Sequence, residues 1–310
     1  MDYIKKYLVY IRTVRRYSPR TAEIYQDILG RYCQFCSLEP QQIVKAMTVG
    51  DIRDYQVHLS LEKKLSAKTS AQHMSVLSGF AAFLVREGVL DSNPVSLVGR
   101  PKIPKRLPSF YREASMQEYF EMTEWKAGTA LSHKDALHRL VISLLYSTGI
   151  RRSELIGLKI GSVDFGRNVL HVRGKGNKMR EIPIISSLSK EILLYLQATE
   201  SLLGRERTPE EPLLVTEKGK PLYPVAVERI VGEELALVPG IAGRKSPHVL
   251  RHTIATELLE KGADLNSIKE LLGHSSLAAT QVYTHNSIGK LKNVYNNAHP
   301  RAKRGGNNGD

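Results

Sequence analysis

Apolar residues recur at three- and four-residue intervals through the first part of the chain, and this periodicity predicts four amphipathic helices. Their expected ranges are 2–15, 18–36, 48–61 and 66–87. Ser18 and Pro19 suit the N-cap and the first position of the second helix, and Gly88 suits the end of the fourth. A small four-helix domain is therefore expected at the N-terminal end.

A proline-rich and basic segment, GRPKIPKRLPS at 99–109, follows this helical region. Its prolines favour an extended backbone, and its cationic side chains keep it hydrated. We expect an interdomain linker here, which separates a first domain over 1–98 from a second over 110–298. The last residues, 299–310, are polar and rich in glycine and asparagine, which predicts a flexible tail.

The second region combines helical periodicity with one segment that is typical of strands. A helix is predicted from about Lys134 to a stop at Gly149, and 169–185 is predicted to form a β-hairpin. Glycines in its turn permit positive backbone angles, so Lys175 is expected at the tip. The chain is therefore predicted to be mainly α-helical with a short antiparallel sheet, an α+β fold.

The stretch 247–285 contains the residues around which the second domain is expected to be organised. His248 and Arg251 are three positions apart, so they share one face of a predicted helix. Asp264 is a natural N-cap for the next helix, and Gly273 is a natural end. The expected buried stripe of that helix consists of Leu265, Ile268, Leu271 and Leu272.

Four side chains suited to phosphate chemistry follow one another in this stretch, namely His248, Arg251, His274 and Tyr283. Two further cations precede them, Arg151 in a predicted turn after Gly149 and Lys175 at the expected hairpin tip. Each alone has an ordinary interpretation, because an H-x-x-R pair is commonly a solvated helix face, a histidine after a helix-ending glycine is commonly a cap, and a lysine in a turn is commonly exposed. Their occurrence together and in order favours a functional site.

The composition points to a polyanionic partner, with 45 Lys and Arg against 31 Asp and Glu and a net charge of +14. The start MDYIKKYLVYIR has no signal-peptide pattern, and no stretch is long enough to span a bilayer. A cytoplasmic location without a membrane partner is therefore expected. Cys33 and Cys36 are the only cysteines, and a single C-x-x-C pair is weak evidence for zinc, so reduced core thiols are expected.

Five sequence blocks together resemble a known family. They are TGIRRSEL at 148–155, GKGNK at 174–178, HVLRH at 248–252, LLGHSS at 271–276 and QVYTH at 281–285. In order and spacing they resemble the tyrosine recombinases, and most of all the Xer-type site-specific recombinases. The small helical domain before them also fits, so the resemblance covers nearly the whole chain. It implies an N-terminal core-binding domain followed by a catalytic domain.

The resemblance implies a role for each member of the site. Arg151 and Arg251 would clamp the non-bridging oxygens of the scissile phosphate. Lys175 would be the general acid that protonates the departing 5′ oxygen. Tyr283 would be the nucleophile that forms a covalent 3′-phosphotyrosine.

The two histidines complete the implied site, and two nearby residues depart from the family pattern. His248 and His274 would assist proton movement and hold the phosphate. Arg152 stands where the family commonly has an apolar residue, and Glu257 stands where it commonly has a histidine. Neither position is catalytic, so these departures bear on partner contacts or local packing.

Phosphodiester chemistry supports these roles independently, because it requires charge stabilisation, an in-line nucleophile and an acid for the leaving group. Arginine forks match phosphate oxygens, and nearby cations favour the phenolate of a tyrosine. The cluster contains no carboxylate pair or Cys/His set of the kind that holds a catalytic metal, so neither a metal nor a cofactor is expected. The phosphotyrosine keeps the bond energy, so rejoining needs no ATP.

The expected function is site-specific DNA recombination, with Xer-type resolution of chromosome or plasmid dimers as the expected role. The implied partners are a double-stranded recombination site and a homo- or hetero-tetramer on two such sites. The sequence leaves open whether a DNA translocase or an accessory protein is a further partner. An apolar stripe predicts a helix over 286–297, which the resemblance would place on a neighbouring subunit.

Three other interpretations share parts of this evidence. An integrase of a mobile element would use the same chemistry, but it often carries an arm-binding domain before the four-helix domain, whereas this chain begins with the four-helix domain. A type IB topoisomerase would relax DNA without strand exchange. An architectural DNA-binding protein with a lapsed active site is disfavoured because all six expected positions are filled.

Overall fold

The computed structural model describes residues 2–99, 110–124, 132–174, 177–273 and 301. The chain divides into two units, residues 1–106 and residues 107–310. Apart from Gly99, the linker expected over 99–109 lies outside the described residues. The same holds for the helix expected over 286–297 and for all of the tail except Arg301.

The first unit contains the four predicted helices. They are α1 (Tyr3–Thr13), α2 (Pro19–Phe35), α3 (Val49–Leu61) and α4 (Ala67–Arg86). Each begins at a residue whose side-chain oxygen accepts a hydrogen bond from the backbone of the first turn, which satisfies one of the unpaired amides there. These N-caps are Asp2, Ser18, Thr48 and Ser66. Two short 3-10 helices, Pro40–Ala46 and Pro94–Leu97, complete the unit.

Aromatic and aliphatic side chains from all four helices form the core of the first unit. Tyr32, Tyr55 and Phe80 are fully buried in it. Cys33 is buried there as a free thiol, and burial raises its pKa to about 11. The predicted stripes therefore meet in one core, as expected for a small helical domain.

The second unit is mainly helical, with one small sheet. Its elements are α5 (Glu113–Met122), α6 (His133–Thr148), α7 (Arg152–Ile156), β1 (Val163–Asp164), β2 (Val169–Arg173), β3 (Met179–Pro183), α8 (Ser186–Leu203), α9 (Pro224–Ala236), α10 (Pro247–Glu260) and α11 (Leu265–Leu272). The predicted fold class, mainly α with a short antiparallel sheet, is confirmed. Among the described helices, none combines the length and the apolar composition needed to cross a bilayer.

Helix α6 is the centre of the second unit, and it packs against α8, α9 and α10. Most of its residues are buried, including the polar Arg139, Ser143 and Ser147, so neighbouring elements cover it on nearly every side. It ends at Gly149, whose φ of +61° lies in the left-handed region. A side chain at Gly149 would have its Cβ only 2.5 Å from Leu272 Cδ2, so glycine is required on both steric and conformational grounds.

The sheet is antiparallel, in the order β1–β2–β3. The predicted hairpin is present, with Val169 opposite Pro183 at one end and Arg173 opposite Met179 at the other. The amide of Gly174 donates to the carbonyl of Lys178 at 2.8 Å and closes the turn. Lys175, expected at the tip, lies outside the described residues.

Helix α11 has the predicted ends but not the whole predicted stripe. Asp264 accepts hydrogen bonds from the amides of Asn266 and Ser267, and Gly273 ends the helix at a φ of +65°. Ile268, Leu271 and Leu272 are buried, whereas Leu265 is 54% exposed. Leu265 was wrongly expected in the stripe, since the first turn of α11 extends beyond the apolar surface that covers the other three residues.

Candidate active site

Arg151 is fixed in the turn between α6 and α7, at the N-cap position of α7. Its Nη1 donates to Glu154 Oε1 at 2.8 Å, and its backbone amide donates to Glu154 Oε2 at 2.8 Å. Its Nη2 donates to the Gly273 carbonyl at 2.8 Å. The side chain remains one-third exposed, so the guanidinium is held by the protein and still faces solvent.

Arg251 approaches the same place from α10, where it is only 8% exposed. Its Nη1 donates to the Gly149 carbonyl and its Nη2 to the Leu272 carbonyl, both at 2.6 Å. Burial and the neighbouring charges of Arg151 and Arg180 together lower the pKa of Arg251 to about 10, while the carboxylate of Glu154 opposes the shift. Arg251 is still cationic at neutral pH, and the structure brings it together with Arg151.

A buried ion pair lies beneath these two arginines. Arg180 on β3 donates from Nη1 and Nη2 to the two carboxylate oxygens of Glu154, at 3.0 and 2.9 Å. Both residues are 7% exposed. Burial alone would raise the pKa of Glu154, but hydrogen bonds from Arg180 and Arg151 outweigh it, so the pKa is lowered and the carboxylate is ionised.

Neither Arg180 nor Glu154 was included among the sequence-predicted site residues. Arg180 lies two positions before the buried Ile182 on β3, so strand alternation directs both side chains inward. A charged residue at an inward position of a strand requires a partner, because an unpaired buried charge is costly. The inward position of Arg180 could therefore have indicated a buried ion pair from the sequence, although it does not indicate which carboxylate is the partner.

Three arginines hold the last carbonyls of α11. Arg180 Nε donates to the Leu271 carbonyl at 3.2 Å, and the carbonyls of Leu272 and Gly273 accept from Arg251 and Arg151. A helix leaves its last carbonyls unpaired at the negative end of its dipole, so cationic donors stabilise this end. His274 follows directly in sequence, and it lies outside the described residues together with Tyr283.

His248 lies one turn before Arg251, on the exposed surface of α10. Partial desolvation lowers the pKa of His248, and the cations Arg152 and Arg251 lower it further, against the opposing charge of Glu228. Arg152 donates to Glu228 on α9 at 2.7 Å. A neutral imidazole at pH 7 is therefore available to accept a proton beside the arginine pair.

Glu257, where the family commonly has a histidine, is buried against α6. It accepts a hydrogen bond of 2.7 Å from the hydroxyl of Tyr146. Burial raises the pKa of Glu257 to about 7. This departure therefore changes local packing rather than the cluster around Arg151.

The described part of the site is suited to binding an anion. Arg151, Arg180 and Arg251 contribute three positive charges against one negative charge from Glu154. Fixed guanidinium groups in a partly desolvated site stabilise charge on phosphate oxygens without reorganising. Within the described ranges, no group of three His, Cys, Asp or Glu side chains is arranged to hold a metal ion.

Both units match models of known families. Residues 120–289 match the phage integrase family, and residues 4–88 match the N-terminal SAM-like domain of phage integrases. The chain belongs to the phage integrase family. It is 35% identical over 305 residues to tyrosine recombinase XerC of Bacillus licheniformis, and the match covers 98% of each chain. It is therefore a site-specific tyrosine recombinase of the Xer type, an enzyme of DNA strand breakage and rejoining.

Solved structures share the fold at low sequence identity. The Tn1549 transposon integrase in complex with transposon right end DNA aligns with a TM-score of 0.65 and 19% identity, covering 94% of this chain and 99% of that one. A lambda integrase tetramer bound to a Holliday junction aligns with a TM-score of 0.62 and 20% identity, covering 91% and 79%. These similarities show the architecture alone.

Proposed function

We propose that the protein binds a double-stranded DNA site and clamps the scissile phosphate between Arg151 and Arg251. The observation that carries this proposal is the convergence of the two guanidinium groups, one from the α6–α7 turn and one from α10, on the carbonyls of Gly273 and Leu272. Arginine forks match phosphate oxygens in pairs and remain charged at all working pH values. A net charge of +14 adds attraction to the DNA backbone.

In this proposal Tyr283 attacks the clamped phosphorus in line. A bond forms between the phenolate oxygen and phosphorus, and the bond from phosphorus to the 5′ oxygen breaks. His248 and His274 assist the removal of the phenolic proton and hold the phosphate, while Lys175 gives a proton to the departing 5′ oxygen. The product is a 3′-phosphotyrosine and a free 5′ hydroxyl. Attack by the 5′ hydroxyl of another strand reverses the same steps and rejoins the DNA.

The residues of each domain would serve this reaction differently. Residues 1–98 would form the core-binding domain on DNA, 99–109 the linker, 110–298 the catalytic domain and 299–310 the flexible tail. Four subunits, either identical or of two kinds, would assemble on two DNA sites. A tetramer of lambda integrase is bound to a Holliday junction in a solved structure of similar fold. The protein would act in the cytoplasm, as the similarity to tyrosine recombinase XerC supports.

The biological purpose that we propose is resolution of chromosome or plasmid dimers. Similarity to an Xer-type enzyme over 98% of the chain supports this role. The second candidate is integration or excision of a mobile element, which would use the same strand-cleavage chemistry. The two roles share one active site and differ in their DNA partner.

The test is to trap the covalent complex in cells by rapid denaturation and to sequence the attached DNA, with the Tyr283→Phe variant as background. Dimer resolution predicts one fixed chromosomal or plasmid site. Recovery of element ends would instead support the mobile-element role. If wild-type protein yields no more attached DNA than the variant does, the chain is a binding protein and the proposal is wrong.

A further inference from the structure

Arg180 lies at a point where three elements of the second unit meet. From β3, its guanidinium reaches both carboxylate oxygens of Glu154 on α7 and the Leu271 carbonyl at the end of α11. All three of its nitrogens donate to protein acceptors, and the residue is 7% exposed. The Arg180 guanidinium is therefore engaged with the protein itself.

We propose that Arg180 is a positioning residue for strand cleavage, which holds the Glu154 carboxylate so that Arg151 points at the scissile phosphate. This inference rests on the proposed function. Glu154 Oε1 accepts from both Arg180 Nη1 and Arg151 Nη1, and Oε2 accepts from Arg180 Nη2 and the Arg151 amide. Arg180 forms two hydrogen bonds with the Glu154 carboxylate, one to each oxygen. The Arg151 side chain forms one hydrogen bond with that carboxylate.

Loss of Arg180 would change both the geometry and the charge of the clamp. The carboxylate of Glu154 could then rotate into a two-point pair with Arg151, which would draw that guanidinium away from the phosphate. The cluster of three arginines and one glutamate would also lose one of its two net positive charges. Both effects weaken an interaction with developing negative charge in the transition state.

Close packing explains why this position requires the arginine fork. A Cβ at Gly273 would lie 3.1 Å from Arg180 Cζ, and a Cβ at Gly174 would lie 3.4 Å from Arg180 Nη1. The guanidinium plane thus fills the space between the end of α11 and the β2–β3 turn. A lysine has one nitrogen in place of three, so it cannot reproduce the two-point bond to the carboxylate.

The experiment compares Arg180→Lys with a matched control, Arg167→Lys. Arg167 pairs with Glu181 beside the same hairpin through two bonds of 3.2 and 3.0 Å, but this pair is exposed. Single-turnover cleavage is measured at saturating concentrations of the DNA site recovered by adduct sequencing, together with the DNA dissociation constant. We expect Arg180→Lys to cleave between about tenfold and a hundredfold more slowly, with DNA affinity and Arg167→Lys close to wild type.

A second substrate separates positioning from a general structural defect. A neutral methylphosphonate at the scissile position replaces one non-bridging oxygen by a methyl group and so removes the negative charge. Its cleavage therefore depends less on a well-aimed Arg151. The deficit of Arg180→Lys should therefore shrink on the methylphosphonate. Equal deficits on both substrates would mean a structural role and would overturn the proposal, as would wild-type cleavage by Arg180→Lys.

A double variant keeps the test decisive if Arg180→Lys does not fold. Arg180→Met with Glu154→Gln replaces the buried pair by uncharged side chains, an exchange that proteins often tolerate in stability. We expect this variant to fold and bind DNA but to cleave slowly, and wild-type cleavage by it would overturn the inference. Absence of any adduct with the wild-type protein would instead defeat the proposed function itself, and this inference with it.

Discussion

At the residue scale, the second unit buries carboxylates in two different ways. Glu154 is surrounded by donors from Arg180 and Arg151, so it stays ionised despite burial. Glu257 has the Tyr146 hydroxyl as its hydrogen-bond donor, and burial raises its pKa from 4.5 to about 7. The first carboxylate organises cations, whereas the second makes the fold itself sensitive to pH.

The raised pKa of Glu257 predicts that it destabilises the fold as pH rises. Below about pH 4.5 the carboxyl is protonated in both the folded and the unfolded chain, so it costs nothing. Between about pH 4.5 and 7 the unfolded chain releases the proton while the folded chain retains it, and the free energy of unfolding falls. Above about pH 7 the whole penalty is present.

The variant Glu257→Gln should therefore gain stability relative to wild type as pH rises, by about 2 to 3 kcal/mol between about pH 5 and pH 8. Urea unfolding at both pH values measures this difference. The matched control is Glu260→Gln, an exposed position at the end of the same helix. A constant offset between Glu257→Gln and wild type across this range would contradict the assigned cause.

At the scale of elements, the turn after α6 depends on one glycine. Gly149 has a left-handed backbone, ends α6 and contributes its carbonyl to Arg251. A Cβ there would lie 2.5 Å from Leu272 on α11 and 3.2 Å from Ile254 on α10. Any side chain would therefore push apart the elements that carry Arg151 and Arg251.

Gly149→Ala should lose both stability and cleavage, with Gly204→Ala as its control. Gly204 ends α8 at a similar φ of +65°, but nothing lies within 4 Å of a Cβ built there. Left-handed strain alone costs about 1–2 kcal/mol, and overpacking at Gly149 adds about 1–3 kcal/mol. Urea unfolding and adduct formation measure the two effects. Equal losses in the two variants would show that the contact with Leu272 is unimportant.

Local patterns in the sequence were sufficient to predict the helices of the first unit and the hairpin, because caps, glycine stops and periodicity act within a few residues. Strand β1 was missed because its two residues, Val163 and Asp164, show no alternation. The Arg180–Glu154 pair was missed because its members lie 26 positions apart on different elements. Arg151 and Arg251 were predicted as site residues from their sequence blocks, but the carbonyls at the end of α11 that orient them follow only from the tertiary fold.

At the scale of the whole molecule, the proposed tetramer requires contacts between subunits that close into a ring. The sequence after Tyr283 has an apolar stripe at helical spacing, which consists of Ile288, Leu291, Val294 and Tyr295. If this segment docks on a neighbour, tyrosine placement depends on the presence of that neighbour. Such coupling would allow only half of the active sites in the tetramer to be active at one time, which would prevent double-strand breaks.

Truncation after Ser287 should therefore leave binding to a single site intact and abolish cooperative assembly and recombination. Single-site affinity should come mostly from phosphate contacts made by the rest of the chain. Band-shift titration and a recombination assay on paired sites measure the two properties. Truncation after Arg301 is the control, since it removes only the last polar residues. Wild-type recombination by the shorter protein would exclude this form of coupling.

The most direct test of the recombinase mechanism is the identity of the residue that becomes attached to DNA. On a nicked suicide substrate, the cleaved fragment diffuses away and the covalent intermediate accumulates. Denaturing electrophoresis quantifies the adduct, and mass spectrometry of its peptides locates the attachment. We expect the wild-type protein to attach through Tyr283, and Tyr283→Phe to bind the site normally but to form no adduct. An adduct that persists in Tyr283→Phe, or that maps to another residue, would contradict the mechanism.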